Sequence, residues 1–156
     1  MKKLLTILIL SISAIKGASA QNPTEKHPQS LNLSRSGLAI AGYDPVAYFT
    51  EGKPIEGKKE NTLTVDGVSY QFSTPQNKEQ FRANPARYKP QYGGWCAYAM
   101  GASGEKVDVD PETFKVLDGK LYLFYNKFFN NTLKSWNKDE RSLKTRADAN
   151  WAKIDR

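Results

Sequence analysis

The chain has one cysteine, one histidine and two methionines in 156 residues, and past its first fifteen positions it has no apolar run long enough to cross a bilayer as a helix. Each scarcity excludes something. A lone Cys96 cannot make a disulfide within the chain, so the fold must be held by packing. The lone histidine, His27, lies in a polar stretch, so a nucleophilic Cys96 lacks a histidine base inside the folded region. No serine-centred nucleophile elbow, phosphate-cradling glycine loop or complete calcium loop is present. Lysines and acids interleave without an arginine-rich helix, which sets nucleic-acid binding aside.

What is present begins with a compartment signal. Lys2 and Lys3 precede an apolar run from Leu4 to Ile15, and Ala18-Ser19-Ala20 follows. That pattern is a secretory signal peptide over residues 1–20, so the protein is expected to be periplasmic or secreted, with no membrane anchor after cleavage. Loss of Lys2, Lys3 and Lys16 takes the formal charge from +7 to +4. The 136 residues that remain suffice for one domain, and 12% aromatic content supplies its core. Residues 21–36, with two prolines and no apolar period, are expected to form a flexible leader before a single domain over 37–156.

Turn chemistry then divides the chain. Asp44 and Pro45 are suited to start a short helix through Tyr48 and Phe49 that ends near Gly52. Asp66-Gly67 separates two alternating runs, which predicts a hairpin with strands at 62–65 and 68–73. Thr74 and Pro75 open a helix with Phe81 facing inward and Pro85 stopping it, and a second short helix is expected within 85–91. Asp118-Gly119 predicts a second hairpin. Phe128, Leu133, Trp136, Leu143 and Trp151, spaced amid charge, suit one or two amphipathic helices closing over the sheet. The expected class is α+β, a small antiparallel sheet built from two hairpins and packed with short helices and a C-terminal helical segment.

The segments "GYDPVAYF", "YQFSTPQNKEQFRANPARY", "YGGWCAYAM", and "DGKLYLFYN" followed by "ADANW" resemble an exported YHS-domain protein over about Gly42 to Trp151. The resemblance implies a compact α+β unit and kinship with heavy-metal handling. Metal-associated members of that family resemble an aromatic-x-Phe-Cys-Ser-x-x-Cys-x-x-x-Phe pattern. Here Tyr70, Phe72 and Phe81 take the aromatic positions and Thr74 the serine, with Pro85 and Tyr88 on later landmarks, but the two cysteine positions hold Ser73 and Asn77. Neutral oxygens do not replace two thiolates for copper(I) or zinc. The scaffold therefore carries over and the soft-metal site does not.

Cys96 is separate from that pair. With Met100 four residues on, a helix starting near Gly94 would set thiol and thioether on one face, an arrangement able to hold copper(I) with His27 recruited from the leader. A packed core is the simpler use of Cys96 and Met100, and Cys96 also suits a small-molecule or thiol site. Gly93 and Gly94 fit a turn, or exposed N–H groups for an anion. Asp108, Asp110 and Glu112 could face a cation, although Asp110 before Pro111 also suits a turn or cap. The expected ligand-binding set is Asp44, Tyr48, Tyr92, Trp95, Cys96 and Tyr98, with Tyr43 nearby; Cys96 and Met100 form the candidate metal pair. The function these residues support is an exported, non-catalytic binding protein for a small molecule or protein partner. The alternatives are a periplasmic copper or heavy-metal binder and a thiol-dependent enzyme or redox protein.

Overall fold

The computed structural model describes residues 30–155, so the signal-peptide reading of 1–20 and His27 lie outside the described residues. Two hairpins are its main sheet elements. Strands β1 (Lys58–Val65) and β2 (Val68–Phe72) meet across Asp66-Gly67, and β3 (Asp110–Leu117) and β4 (Lys120–Phe124) across Asp118-Gly119. Both residues of each turn have positive φ, which Asp and Gly tolerate and which matches the twist of paired strands. Each ladder shifts register before its far end. The class is α+β as expected, but the hairpins do not merge: they remain separate two-stranded sheets, joined by a third and very short pair, β5 (Asn126–Lys127) and β6 (Asn130–Asn131).

Helices α1 (Ala47–Thr50), α2 (Pro75–Ala83), α3 (Pro85–Tyr88), α4 (Ala97–Ala102), α5 (Thr132–Trp136) and α6 (Glu140–Ile154) pack around these ladders. The expected cap forms at α2, where the Thr74 hydroxyl accepts from Asn77 N at 3.1 Å and Pro75 takes the first turn. Asn84 ends α2 and caps α3 by accepting from Arg87 N at 3.3 Å. Phe81 is buried as expected. Two sequence expectations need correction. Phe128 lies on no helix face but in the β5–β6 turn, 89% exposed. The helix after the glycine pair starts at Ala97, not near Gly94, because Tyr92, Gly93 and Gly94 adopt positive φ and Cys96 is the residue before the first turn.

The core has two parts, and β4 belongs to both. Leu121 and Leu123 join Val46, Tyr48, Tyr70, Phe72, Phe81 and Tyr88 in the first; Tyr122 and Phe124 join Tyr92, Met100, Trp136, Leu143 and Ala147 in the second. A strand whose alternate residues face two apolar layers shows no polar alternation, and "LYLF" shows none. Helices α4 and α6 approach so closely at Gly101 that a Cβ there would lie 2.4 Å from Leu143 O. Asn150 seals that crossing by donating to Met100 O at 2.9 Å. The fold also begins earlier than residue 37. Asn32 N donates to Gly93 O at 2.9 Å, Asn32 Nδ2 to Gly94 O at 3.2 Å, and Trp95 Nε1 to Ser30 O at 2.8 Å. Residues 30–36 are thus part of the packed unit, fastened to the glycine turn by bonds whose acceptors are all backbone carbonyls, which polarity counts do not register.

Candidate functional site

Three places bear on function: a buried carboxylate, a buried thiol and a cleft. Asp44 has no solvent exposure. Its Oδ1 accepts from Val46 N at 2.8 Å and Ala47 N at 3.3 Å, which fixes the entry to α1. Its Oδ2 accepts from Ser73 N at 2.8 Å, Ser73 Oγ at 2.7 Å and Asn77 Nδ2 at 2.7 Å. Both oxygens are therefore saturated by donors, and the charge is balanced by oriented dipoles. The capping role read from the sequence holds, and it extends across the fold to α2. Asp44 thus ties elements of the fold together and does not line the cleft described below.

The partners of Asp44 are the two residues at the thiol positions of the metal pattern. Ser73 and Asn77 lie close together, with Asn77 Nδ2 3.4 Å from Ser73 Oγ, and both donate to one carboxylate oxygen. A soft cation would find hard oxygens and an amide there, already bonded to each other. These residues do not fit the heavy metal that the family pattern implies.

Cys96 is equally enclosed, with no exposure for it or for Met100. Its Sγ accepts from Tyr125 N at 3.3 Å and lies 3.4 Å from Thr132 Oγ1. The Thr132 hydroxyl proton goes to Tyr125 O at 2.9 Å, so the thiol is left to donate to Thr132 Oγ1. The sulfur bridges the end of β4 to the start of α5 and stands under the β5–β6 stem. Met100 follows one helical turn later and packs in the second core part. Among the described residues no group of three or more His, Cys, Asp or Glu gathers around a point, here or elsewhere.

The cleft, about 560 Å³, lies where residues 31–33 and the glycine turn meet the first core part and α6. Leu31, Val68, Tyr70, Tyr92 and Trp151 give it apolar walls, and Asp66, Lys89 and Asp148 give it charge. Tyr92 stands in it with a positive φ of 54°, its hydroxyl donating to Asp148 at 2.8 Å while Lys144 holds the other oxygen at 2.9 Å. Burial, and then the bond to Asp148, raise the Tyr92 hydroxyl pKa well above its ordinary value, so the phenol stays protonated as a donor. The paired carboxylate raises Lys144 likewise. Gly93 sets the width of the cleft, since a Cβ there would lie 2.7 Å from Trp151 Cη2 and 3.0 Å from Leu31 Cδ2.

Of the six residues in the expected ligand-binding set, only Tyr92 lines this cleft. Tyr48 is a core pillar, its hydroxyl donating to Pro111 O at 2.8 Å and its ring edge-on to Phe114. Trp95 packs beside the second core part under Lys106, and Tyr98 packs beside the same part. Tyr43 donates to Glu112 Oε1 at 3.1 Å, and Asp110 serves a turn by accepting from Glu112 N at 3.0 Å. Sequence reasoning missed Lys89, Asp148 and Leu31. Trp151 was visible as an amphipathic-face residue, but its partner across the cleft is seventy positions or more away in the chain for Val68 and Tyr70 alike.

No curated protein and no solved structure matches the chain. The family model described as YHS domain matches residues 46–92, from the entry to α1 through Tyr92. That span contains Ser73, Asn77 and the aromatic positions aligned on the family pattern, and it ends before Cys96. The scaffold aromatics of that span are buried together, an oxygen and amide pair stands at the thiol positions, and the chain thus carries a YHS domain over residues 46–92.

Proposed function

We propose that this chain is an exported, non-catalytic YHS-domain protein that binds a small, partly apolar molecule in the cleft bounded by Tyr92, Gly93 and Trp151. The observation that carries this reading is the cleft itself: about 560 Å³, apolar walls, and a few fixed polar groups at Lys89, Tyr92 and Asp148. That composition is what small-molecule sites use, with apolar area for affinity and a few placed donors and acceptors for orientation. The location at the junction of three segments favours the same reading. Cys96 and Met100 stay as core residues in this account, which places neither copper nor thiol chemistry at them.

Thermal-shift screening with small amphipathic aromatic and aliphatic compounds tests it. A compound at about a hundred times its Kd stabilises the native state by about 2.7 kcal/mol, a readily measured rise in Tm. The expected result is a hit that is lost in Trp151→Ala and weakened in Lys89→Ala, yet kept in Cys96→Ala. A set of hits that ignores Trp151 and follows Cys96 would sink the reading, and a copper(I) affinity lost in Cys96→Ala would favour the metal-binding alternative.

A further inference from the structure

Three two-residue turns of this chain share one backbone geometry, and two of them have residues suited to it. Asp66-Gly67, Asp118-Gly119 and Phe128-Phe129 close paired strands with φ of 52° and 74°, 50° and 70°, and 52° and 62°. Glycine and aspartate enter the left-handed region readily, whereas an aromatic residue there is disfavoured by its Cβ. The rings gain no burial in return. Phe128 is 89% and Phe129 111% exposed, against 38% for the next exposed large hydrophobic among the described residues. A strained turn that holds two adjacent apolar rings in water does nothing for the isolated fold, and such strain is retained where a functional constraint opposes it.

The stem beneath the rings is braced. Asn126 Nδ2 donates to Thr113 Oγ1 at 3.0 Å, Thr132 N donates to Tyr125 O at 3.0 Å, and Asn131 Oδ1 accepts from Leu133 N at 3.1 Å. Cys96 Sγ accepts from Tyr125 N just below. The rings are thus presented on a fixed support. The chain on either side of them is basic, since Gly119 to Lys138 carries Lys120, Lys127, Lys134 and Lys138 and no acidic residue, while Asp110 stands behind the stem and accepts from Thr113 Oγ1 at 3.0 Å. Lys127 adjoins the tip, and Lys127 and Lys134 are exposed. The neighbouring groove adds Arg35 and Asp108, which offset each other.

We propose that the Phe128-Phe129 turn is a docking wedge for an anionic lipid surface. Both rings enter the interfacial layer while Lys127 and Lys134 stay among the headgroups. Aromatic rings favour that layer, and each nearby lysine adds an attraction that salt screens over a Debye length. The contact is peripheral and reversible; no helix among the described residues is long and apolar enough to cross a membrane.

A full-length Phe129→Trp chain provides a local reporter, because subtracting wild-type emission removes the three native tryptophans and any contribution shared by the rest of the chain. With vesicles of bromine-labelled phosphatidylcholine and phosphatidylglycerol, the introduced indole is expected to shift to the blue and lose about half its emission or more, and to do so much less without phosphatidylglycerol. A Phe128→Asn, Phe129→Gly double variant suits the turn backbone, so it is expected to unfold at or above the wild-type Tm and to partition onto the same vesicles about tenfold less. An indole that keeps its water-like emission beside anionic vesicles overturns the proposal. So does an unchanged partition coefficient in the double variant; both are the results expected if a protein partner takes the tip.

Discussion

Asp44 and Cys96 occupy equivalent stations in the two halves of the core, each without solvent exposure and each tying backbone from different elements, yet they do so with different strength. Asp44 gathers five hydrogen bonds at 3.3 Å or less, three of them from backbone N–H groups, and joins α1 to the β2–α2 connection. Cys96 makes two longer contacts through a weak acceptor and donor and joins β4 to α5. A buried carboxylate must be satisfied by many donors or it destabilises the fold, whereas a buried thiol behaves as a small apolar group with a mild polar preference. Asp44 therefore holds its half of the scaffold together, whereas Cys96 mainly fills its own. At positions 73 and 77 the carboxylate of Asp44 organises the corner, accepting from Ser73 and Asn77.

The largest effect is expected at Asp44. Asp44→Ala leaves the N–H groups of Val46, Ala47 and Ser73 and the Asn77 amide without their acceptor, and a loss of about 4 kcal/mol is expected from urea unfolding. A loss below about 1 kcal/mol would mean that water or rearranged side chains replace the carboxylate. Cys96→Ala should cost about 2 kcal/mol, and Cys96→Ser, which keeps a donor and an acceptor, about half of that. Equal costs for the two Cys96 variants would show that its polar contacts contribute nothing beyond volume.

The smallest effect belongs to a half-exposed carboxylate in the Cys96 half. Glu140 accepts from the Lys115 ammonium and from Trp136 Nε1, the latter at 2.9 Å, and the Lys115 bond leads in lowering its pKa below the ordinary glutamate value. A depressed folded pKa gives stability that is present above the unfolded pKa and lost as pH falls through the folded one. Stability should therefore drop on acidification below the ordinary glutamate range, by less than about 1 kcal/mol because the pair is partly solvated, and Glu140→Gln should flatten that part of the pH profile. At the other end of the scale, burial pushes the Tyr70 hydroxyl up to about 12, with Asp66 adding to the effect. Its contribution is complete below an ordinary pKa of 10.0 and is lost as pH rises toward 12, so alkaline unfolding in that window is expected, followed by phenolate absorbance.

Local features of this fold were legible in the sequence because their causes are local. Two Asp-Gly turns, the Thr74-Pro75 helix start, the inward Phe81 and the Asp44 cap all rest on residues within a few positions of one another. What could not be read depends on distant pairings. The packing of Asn32 against Gly93 and Gly94 joins a polar stretch that looks like leader to a turn sixty positions later. The cleft needs Leu31, Tyr70, Tyr92 and Trp151 to converge, and no periodicity carries that information. The β5–β6 turn was hidden for a different reason: Phe128-Phe129 is opposed to the turn it occupies, so residue preference points away from the observed backbone. The site reading shared this pattern. Asp44, Tyr48 and Cys96 were chemically conspicuous and are bonded inside the core, while Tyr92 and the unremarked Asp148 and Lys89 meet at the cleft.

On the proposed function, ligand recognition belongs to the cleft and the two buried centres are scaffold. The most direct test is a backbone amide and indole NMR spectrum of the chain, recorded against a set of small amphipathic compounds and against copper(I) under anaerobic conditions. The account predicts saturable shifts centred on Leu31, Tyr92, Gly93 and the Trp151 indole, with the amides of Cys96 and Met100 unmoved by copper(I). Shifts that converge instead on Cys96 and Met100, with the cleft silent, would contradict it.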